Sequence, residues 1–220
     1  MPGKAKTRLI PQLGAEGAAE LYRRFLLDTL ERACKLSAKI IVAVADGASS
    51  VEVVRGLARE VCGGAEFIAQ QGADLGERME QAFAVALSRG CPSAVVMGSD
   101  VPSLPISRVA SALSLSDFRD LVVGPALDGG YYLIGMHRVI SECLRGMPWG
   151  SSAVLLQTLR CAQAKQCKVS LLEPWYDVDT PADLRLLRSH LTALHLAGDS
   201  MPCPRTWEFT RRLAEEGSSG

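Results

Sequence analysis

Asp100 follows four apolar residues, Ala94-Val95-Val96-Met97, in the turn Gly98-Ser99-Asp100-Val101-Pro102. An unpaired carboxylate is costly to bury behind such a run. At the carboxyl end of a buried strand it can instead meet a divalent cation, and Mg²⁺ typically takes one or two carboxylates plus substrate phosphates. The competing reading makes Asp100 a turn former, or a cap for a helix starting at 105. Asp177-Val178-Asp179-Thr180-Pro181-Ala182-Asp183 offers a second metal carboxylate. Spacing leaves open whether Asp177 or Asp179 would supply it, and both could serve only as caps. Asp183 reads as a first-turn acid that complements a helix dipole.

Three more segments carry polar chemistry. In Pro2-Gly3-Lys4-Ala5-Lys6-Thr7-Arg8-Leu9, three cations and a glycine lie within six residues, ahead of a helix. Glycine permits close backbone approach and the cations can neutralise phosphate oxygens. The plainer account is a solvated basic start. Gln70-Gln71-Gly72-Ala73-Asp74 lies between a strand and a helix. Its amides could face a base or a sugar, or form a polar turn with a helix cap. Asp128-Gly129-Gly130 is a hairpin signal on its own account. What the hairpin leaves unexplained is a polar turn at a buried strand end, beside the other loops. His137, His190 and His195 show no ligand spacing and read as surface or packing residues. Trp149 and Trp175 could stack on a ligand, but packing at the edge of the core explains them better.

The pattern of elements puts these segments at strand ends. Helical periods cover 16–36, 49–61, 75–88, 105–113, 138–145 and 151–165. Short apolar runs at 40–44, 66–69, 94–97, 121–124, 131–135 and 169–172 read as strands. The strand at 131 follows its neighbour so closely that it should turn back on it. Thr180 caps a further helix, with Pro181 at its first position. Strands alternating with helices predict an α/β fold: a mixed, mostly parallel sheet with helices on both faces. Ligands in such folds bind beyond the carboxyl ends of the strands. One domain over 1–195 is expected. A C-terminal extension over 196–220 should hold a short helix near 206–215 and a flexible Gly-Ser tail.

Composition narrows the function classes. The 220 residues carry 24 Lys+Arg against 24 Asp+Glu, with no basic excess to bind nucleic acid or an anionic membrane. None of the seven Cys forms a C-x-x-C pair. Most lie in apolar stretches and read as buried reduced thiols, with no zinc site. With no apolar leader and no membrane span, a cytoplasmic protein is expected.

Together the five polar segments resemble one family: bacterial GT-A-like proteins described as nucleotide-diphospho-sugar transferases or glycosyltransferases. The shared motifs look like P-G-x-x-K-T-R-L, Q-G-x-D-L-G-E-R-M, G-x-D-x-P-x-L, G-P-A-x-D-G-G-Y-Y-L-I-G and D-V-D-T-P-x-D-L. They appear as Pro2–Leu9, Gln71–Met79, Gly98–Leu104, Gly124–Gly135 and Asp177–Leu184. More distantly, the group is similar to molybdenum-cofactor and phospholactate guanylyltransferases. The resemblance implies a single-domain GT-A fold. It implies that Lys6 and Arg8 are catalytic, on the donor's phosphates, within a nucleotide loop that includes Gly3 and Thr7. Asp100 would be the first ligand of Mg²⁺ (or Mn²⁺) and Asp179 the second. Gln71 and Gly72 would lie near the base, and Asp128, Gly129 and Gly130 would border the acceptor or sugar. The implied partners are a nucleoside triphosphate or NDP-sugar and a small acceptor, and a homodimer is compatible with the family. Relatives carry an apolar strand just before P-G-x-x-K, whereas this sequence reads Met1-Pro2 there. Open strand edges or a rearranged sheet are therefore expected.

Two reactions fit. In nucleotidyl transfer an acceptor attacks the α-phosphate of an NTP and pyrophosphate leaves. In glycosyl transfer an acceptor hydroxyl attacks the anomeric carbon and a nucleoside diphosphate leaves. The basic loop favours the first, as does a metal turn without the paired D-x-D common in metal-dependent glycosyltransferases. The family description favours the second. A non-catalytic nucleotide-binding protein is a third reading, which the missing strand supports and the two metal carboxylates oppose.

Overall fold

β-Branched and apolar runs form short strands here, and the segments of helical period pack over them. A computed structural model describes residues 2–45 and 47–217, with side chains as far as 213. In chain order the elements are α1 (Ile10–Ala33), β1 (Ile41–Val44), α2 (Ala48–Ala58), β2 (Glu66–Ala69), α3 (Leu75–Ser88), β3 (Ala94–Met97) and α4 (Ile106–Ser116). Then follow β4 (Leu121–Pro125), β5 (Tyr131–Met136), α5 (Val154–Ala164), β6 (Val169–Leu171), α6 (Pro181–Ala197) and α7 (Pro204–Gly217). Turns of 3₁₀ helix span Thr7–Leu9 and Ser141–Cys143.

The sheet is in two pieces. β1 and β2 pair in parallel. The other four strands run in the order β3-β5-β4-β6, with β4 and β6 parallel and β5 antiparallel to both of its neighbours. As expected, β5 turns back on β4 across the Asp128-Gly129-Gly130 turn. Among the described residues β1 and β3 each pair on one side only. Their side chains are mostly half-buried, whereas those of β4 and β5 are mostly buried.

Strand alternation feeds a core on each face of the larger sheet. Leu121, Val123, Ile134 and Met136 pack with Met79 and Phe83 of α3 and Ala162 of α5. Val122, Tyr132 and Leu133 pack with Val109 and Ala112 of α4 on the other face. A separate cluster joins Leu21 and Phe25 of α1 to Leu184, Leu187 and Leu191 of α6 and to Cys203, just ahead of α7. Among the described residues no helix is long and apolar enough to cross a membrane.

Two expectations are corrected and one is extended. A short helical piece from Ile10, with Pro11 in its first turn, precedes the expected first helix, and non-helical Gly14 breaks the chain between them, so the continuous helix begins after Gly14 as expected. The expected helix over 138–145 is a single 3₁₀ turn. Its backbone is satisfied by short-range bonds such as Cys143 N–H to Ile140 C=O (2.9 Å), and Gly146 at φ 66° lets the chain leave the turn. Cys34 and Cys62, read as reduced thiols, form a disulfide with a Cα–Cα distance of 5.8 Å. The fold brings the end of α1 to the turn after α2, which no spacing 28 residues apart could signal. The tail at 218–220, expected to be flexible, lies outside the described residues.

Candidate functional site

Asp100 is held by its own backbone before its side chain does anything. β3 ends where Gly98 N–H donates to Tyr132 C=O (3.0 Å), and Asp100 C=O then accepts from Val178 N–H (2.9 Å). That second bond brings the segment 177–183 against the turn. Thr180 is the expected N-cap of α6, and Asp183, expected only to complement the helix dipole, forms a capping box with it. Asp183 Oδ2 accepts from Thr180 N–H (2.7 Å) and also from Asp179 N–H (3.1 Å), which fixes the backbone that carries the Asp179 carboxylate.

Beyond Asp100 the turn is buried and tied down by groups that its sequence does not contain. Arg32 of α1 donates to Pro102 C=O (2.6 Å) and Leu104 C=O (2.5 Å). Ser103 Oγ donates to Tyr176 OH (2.9 Å), which lies 2.7 Å from His190 Nδ1. Burial pushes the Tyr176 phenol up to about 12 and His190 below its ordinary range, so both stay neutral at pH 7. Trp175 donates to Ser103 Oγ and stacks on Tyr176, so it packs at the core edge as expected.

Lys6 closes the arrangement. Its Nζ lies 2.5 Å from Asp100 Oδ1 and 2.7 Å from Asp179 Oδ1, and its side chain is only 4 % exposed. It also faces the rings of Tyr22 and Phe25, at 5.8 and 5.7 Å from their centroids. Tyr22 OH is hydrogen-bonded to Ser99 Oγ (2.8 Å), and burial is the main cause that raises its pKa. Two carboxylate oxygens thus converge on a single cation at the carboxyl end of β3. Such a pair of carboxylate oxygens is a donor set that would suit Mg²⁺ or Mn²⁺. Two protein oxygens, with phosphates and water completing the shell, are the usual protein share. Among the described residues no cluster of three or more His, Cys, Asp or Glu side chains is placed to hold a metal ion.

Not every sequence candidate joins this centre. Gly3, Thr7 and Arg8 are exposed, and Gly3 takes a left-handed φ of 80°. Gln71 and Gly72 line a shallow cavity of about 240 Å³ with Glu77, Glu80, Gln81 and Arg145. Asp74 caps α3 by accepting from Glu77 N–H (2.9 Å), so both the cap and the polar-turn accounts of that segment hold. Arg145 has no counterpart among the sequence candidates. It forks onto Glu80 (2.5 and 3.0 Å), and that pairing holds the Glu80 carboxyl below its usual range.

The Asp128 loop is stitched to the segment that leads to Asp179. Leu127 N–H donates to Trp175 C=O (3.1 Å) and Trp175 N–H to Pro125 C=O (3.0 Å). Burial pushes the Asp177 carboxyl up, and the charge of Asp128 adds to the rise. Asp128 Oδ1 accepts from Gly130 N–H (2.8 Å), and Gly129 has φ 91°. A Cβ on Gly129 would stand 2.3 Å from Ser152 C=O. Gly129→Ala therefore meets both a backbone clash and an unfavourable φ, and should cost about 2–4 kcal/mol in urea unfolding. A loss below about 0.5 kcal/mol would show that the loop relaxes freely.

The comparisons bear on the fold and the family. The fold is that of a nucleotide-diphospho-sugar transferase. A candidate nucleotide-diphospho-sugar transferase from Desulfovibrio desulfuricans is 34% identical and superposes with a TM-score of 0.86, covering 96% of this chain and 90% of its own. CMP:2-keto-3-deoxy-manno-octonic acid synthetase, solved with CTP, superposes at 0.51 over 77% of this chain and 88% of its own. At 13% identity, that second match shows the fold alone. Residues 26–151 match the family described as an uncharacterized protein conserved in bacteria, DUF2064, and the chain belongs to it. No curated protein matches.

Proposed function

We propose that this protein is a metal-dependent transferase that uses a nucleotide or nucleotide-sugar donor, and that its reaction is nucleotidyl transfer. The observation that carries this reading is the convergence of Asp100 and Asp179 on one cation at the carboxyl end of β3. Mg²⁺ or Mn²⁺ held by these two carboxylates would neutralise charge that builds on the donor's phosphate oxygens. Lys6 and Arg8 meet the same phosphates, while Gly3 and Thr7 allow the loop backbone close to them. Gln71 and Gly72 border the base, and Asp128, Gly129 and Gly130 border the acceptor. An acceptor oxygen attacks the α-phosphorus. The bond from that phosphorus to the bridging oxygen breaks, and its electron pair leaves with pyrophosphate. No protein nucleophile is needed. Positioning and charge neutralisation supply the catalysis.

Glycosyl transfer is the second reading. It is favoured by the description of the Desulfovibrio desulfuricans relative. The two separate in one assay. The full chain is incubated with Mg²⁺, a panel of sugar phosphates and sugar acids, and either each NTP or each NDP-sugar. Acceptor-dependent pyrophosphate from one NTP is the expected result. Release of nucleoside diphosphate from an NDP-sugar, without pyrophosphate, would replace it with glycosyl transfer. Nucleotide binding with neither product would support a non-catalytic nucleotide-binding protein.

A further inference from the structure

A cation that serves a donor's phosphates should reach toward solvent, as exposed Lys4 does. Lys6 instead turns inward, almost wholly buried, onto both carboxylates and two aromatic faces. Its backbone takes φ 50° and ψ 45°, a left-handed conformation uncommon for a non-glycine residue. In that conformation its side chain reaches both Asp100 and Asp179.

We propose that Lys6 is a resident cation that closes the Asp100–Asp179 pair in the free protein, and that a divalent metal enters only by displacing it. The inference rests on the reading of this pair as a metal site. The ammonium and the metal cannot share the position. Mg²⁺ needs its oxygens at about 2.0–2.1 Å. The two Asp oxygens already close on Nζ, so a second cation between them would lie within contact distance of the first. Lys6 leaves the pair one charge short of neutral, whereas a divalent ion in its place neutralises it. The segment ahead of Lys6 is exposed over Pro2, Gly3 and Lys4, so the side chain has room to swing out.

Displacement puts Lys6 to use. Once expelled, the ammonium lies beside the space where a metal-bound donor would carry its phosphates, and phosphate oxygens replace the carboxylates it lost. Metal alone must evict Lys6 with nothing to receive it, whereas metal with a nucleoside triphosphate supplies the new partner. Metal and nucleotide therefore bind with positive coupling, and by linkage each strengthens the other equally. The free protein keeps its acidic pair partly neutralised until both arrive.

Mn²⁺ binding without nucleotide, followed by electron paramagnetic resonance, tests this. Lys6→Met keeps an apolar stem against Tyr22 and Phe25 and removes the charge. It should bind Mn²⁺ at least about tenfold more tightly than the wild type, within the usual range of such couplings. The strengthening of Mn²⁺ binding by a non-hydrolysable nucleoside triphosphate should shrink by a similar factor. Acylation of the wild type by a succinimidyl ester, read by mass spectrometry, is a second measure that needs no variant. Lys6 should react slowly and become several-fold faster on adding Mn²⁺, with Lys4 unchanged. Equal Mn²⁺ affinity in wild type and Lys6→Met, or Lys6 labelling that ignores Mn²⁺, overturns the inference. If Asp100→Asn nevertheless abolishes Mn²⁺ binding, the metal site itself stands. If neither Asp100→Asn nor Asp179→Asn alters Mn²⁺ affinity, the metal reading falls with it.

Discussion

Asp100→Asn should lower kcat of the metal-dependent reaction by about 10²–10³-fold, the usual cost of losing one group that stabilises developing charge. The substitution is nearly isosteric. The bond from Val178 N–H to Asp100 C=O belongs to the backbone and survives, so the segment that carries Asp179 stays in place. Lys6 keeps its contact with Asp179 (2.7 Å). The Asp100 side chain is 41 % exposed, so losing its ion pair with Lys6 should cost no more than about 1 kcal/mol in folding stability. The variant should therefore melt near the wild type while turning over far more slowly. Raising Mn²⁺ should recover part of the rate, because Mn²⁺ is held better than Mg²⁺ by a weakened donor set. A kcat within twofold of the wild type, at saturating Mg²⁺, would remove Asp100 from the metal site.

Local grammar made much of this fold and part of the site legible. The Leu75–Ser88 helix stands where its period placed it because Asp74 caps its start and Gly90 follows its end. Thr180, Pro181 and Asp183 announced the start of α6 in their order, and the capping box is formed. The apolar run at 94–97 placed Asp100 at a strand end, which is the most informative single reading in the chain. The clamps on the Asp100 turn were not legible. Arg32 reaches Pro102 and Leu104 from a helix about 70 residues earlier, and Tyr176 meets Ser103 from 73 residues later. Such pairings come from tertiary topology and leave no periodic trace. Lys6 shows the same limit. Its type and neighbours suggested a phosphate contact, but its present partner Asp179 lies 173 residues away. The Tyr22–Phe25 pair had one faint signal, the i,i+3 spacing that sets half-buried Tyr22 beside Phe25 of the buried stripe of α1.

Asp28→Ala should be the most destabilising of the single substitutions considered, at about 3–5 kcal/mol. Asp28 lies in α1 with its side chain fully buried. Its Oδ2 accepts from Thr206 N–H and Thr206 Oγ1, both at 2.8 Å, and its Oδ1 accepts from Arg205 N–H (3.2 Å) and the Arg205 guanidinium (3.3 Å). Arg205 and Thr206 open α7, whose first-turn N–H groups have no partner within their own helix. A carboxylate from another helix thus does the work of an N-cap. Alanine would leave Thr206 buried with its donors unmet, which costs more than the bonds themselves. Arg205 would fare better, since it is partly exposed and keeps Glu31. The urea midpoint should fall while the slope stays unchanged, as expected when native contacts are lost without changing the surface exposed on unfolding. The effect should also reach the site. Phe25 and Tyr22 lie one and two turns before Asp28 on the same helix, and both face Lys6. Loosening α1 should therefore speed acylation of Lys6 in the variant, even under conditions where it remains folded. A stability loss below about 1 kcal/mol would mean that α7 is held by its apolar contacts and that Asp28 only neutralises Arg205.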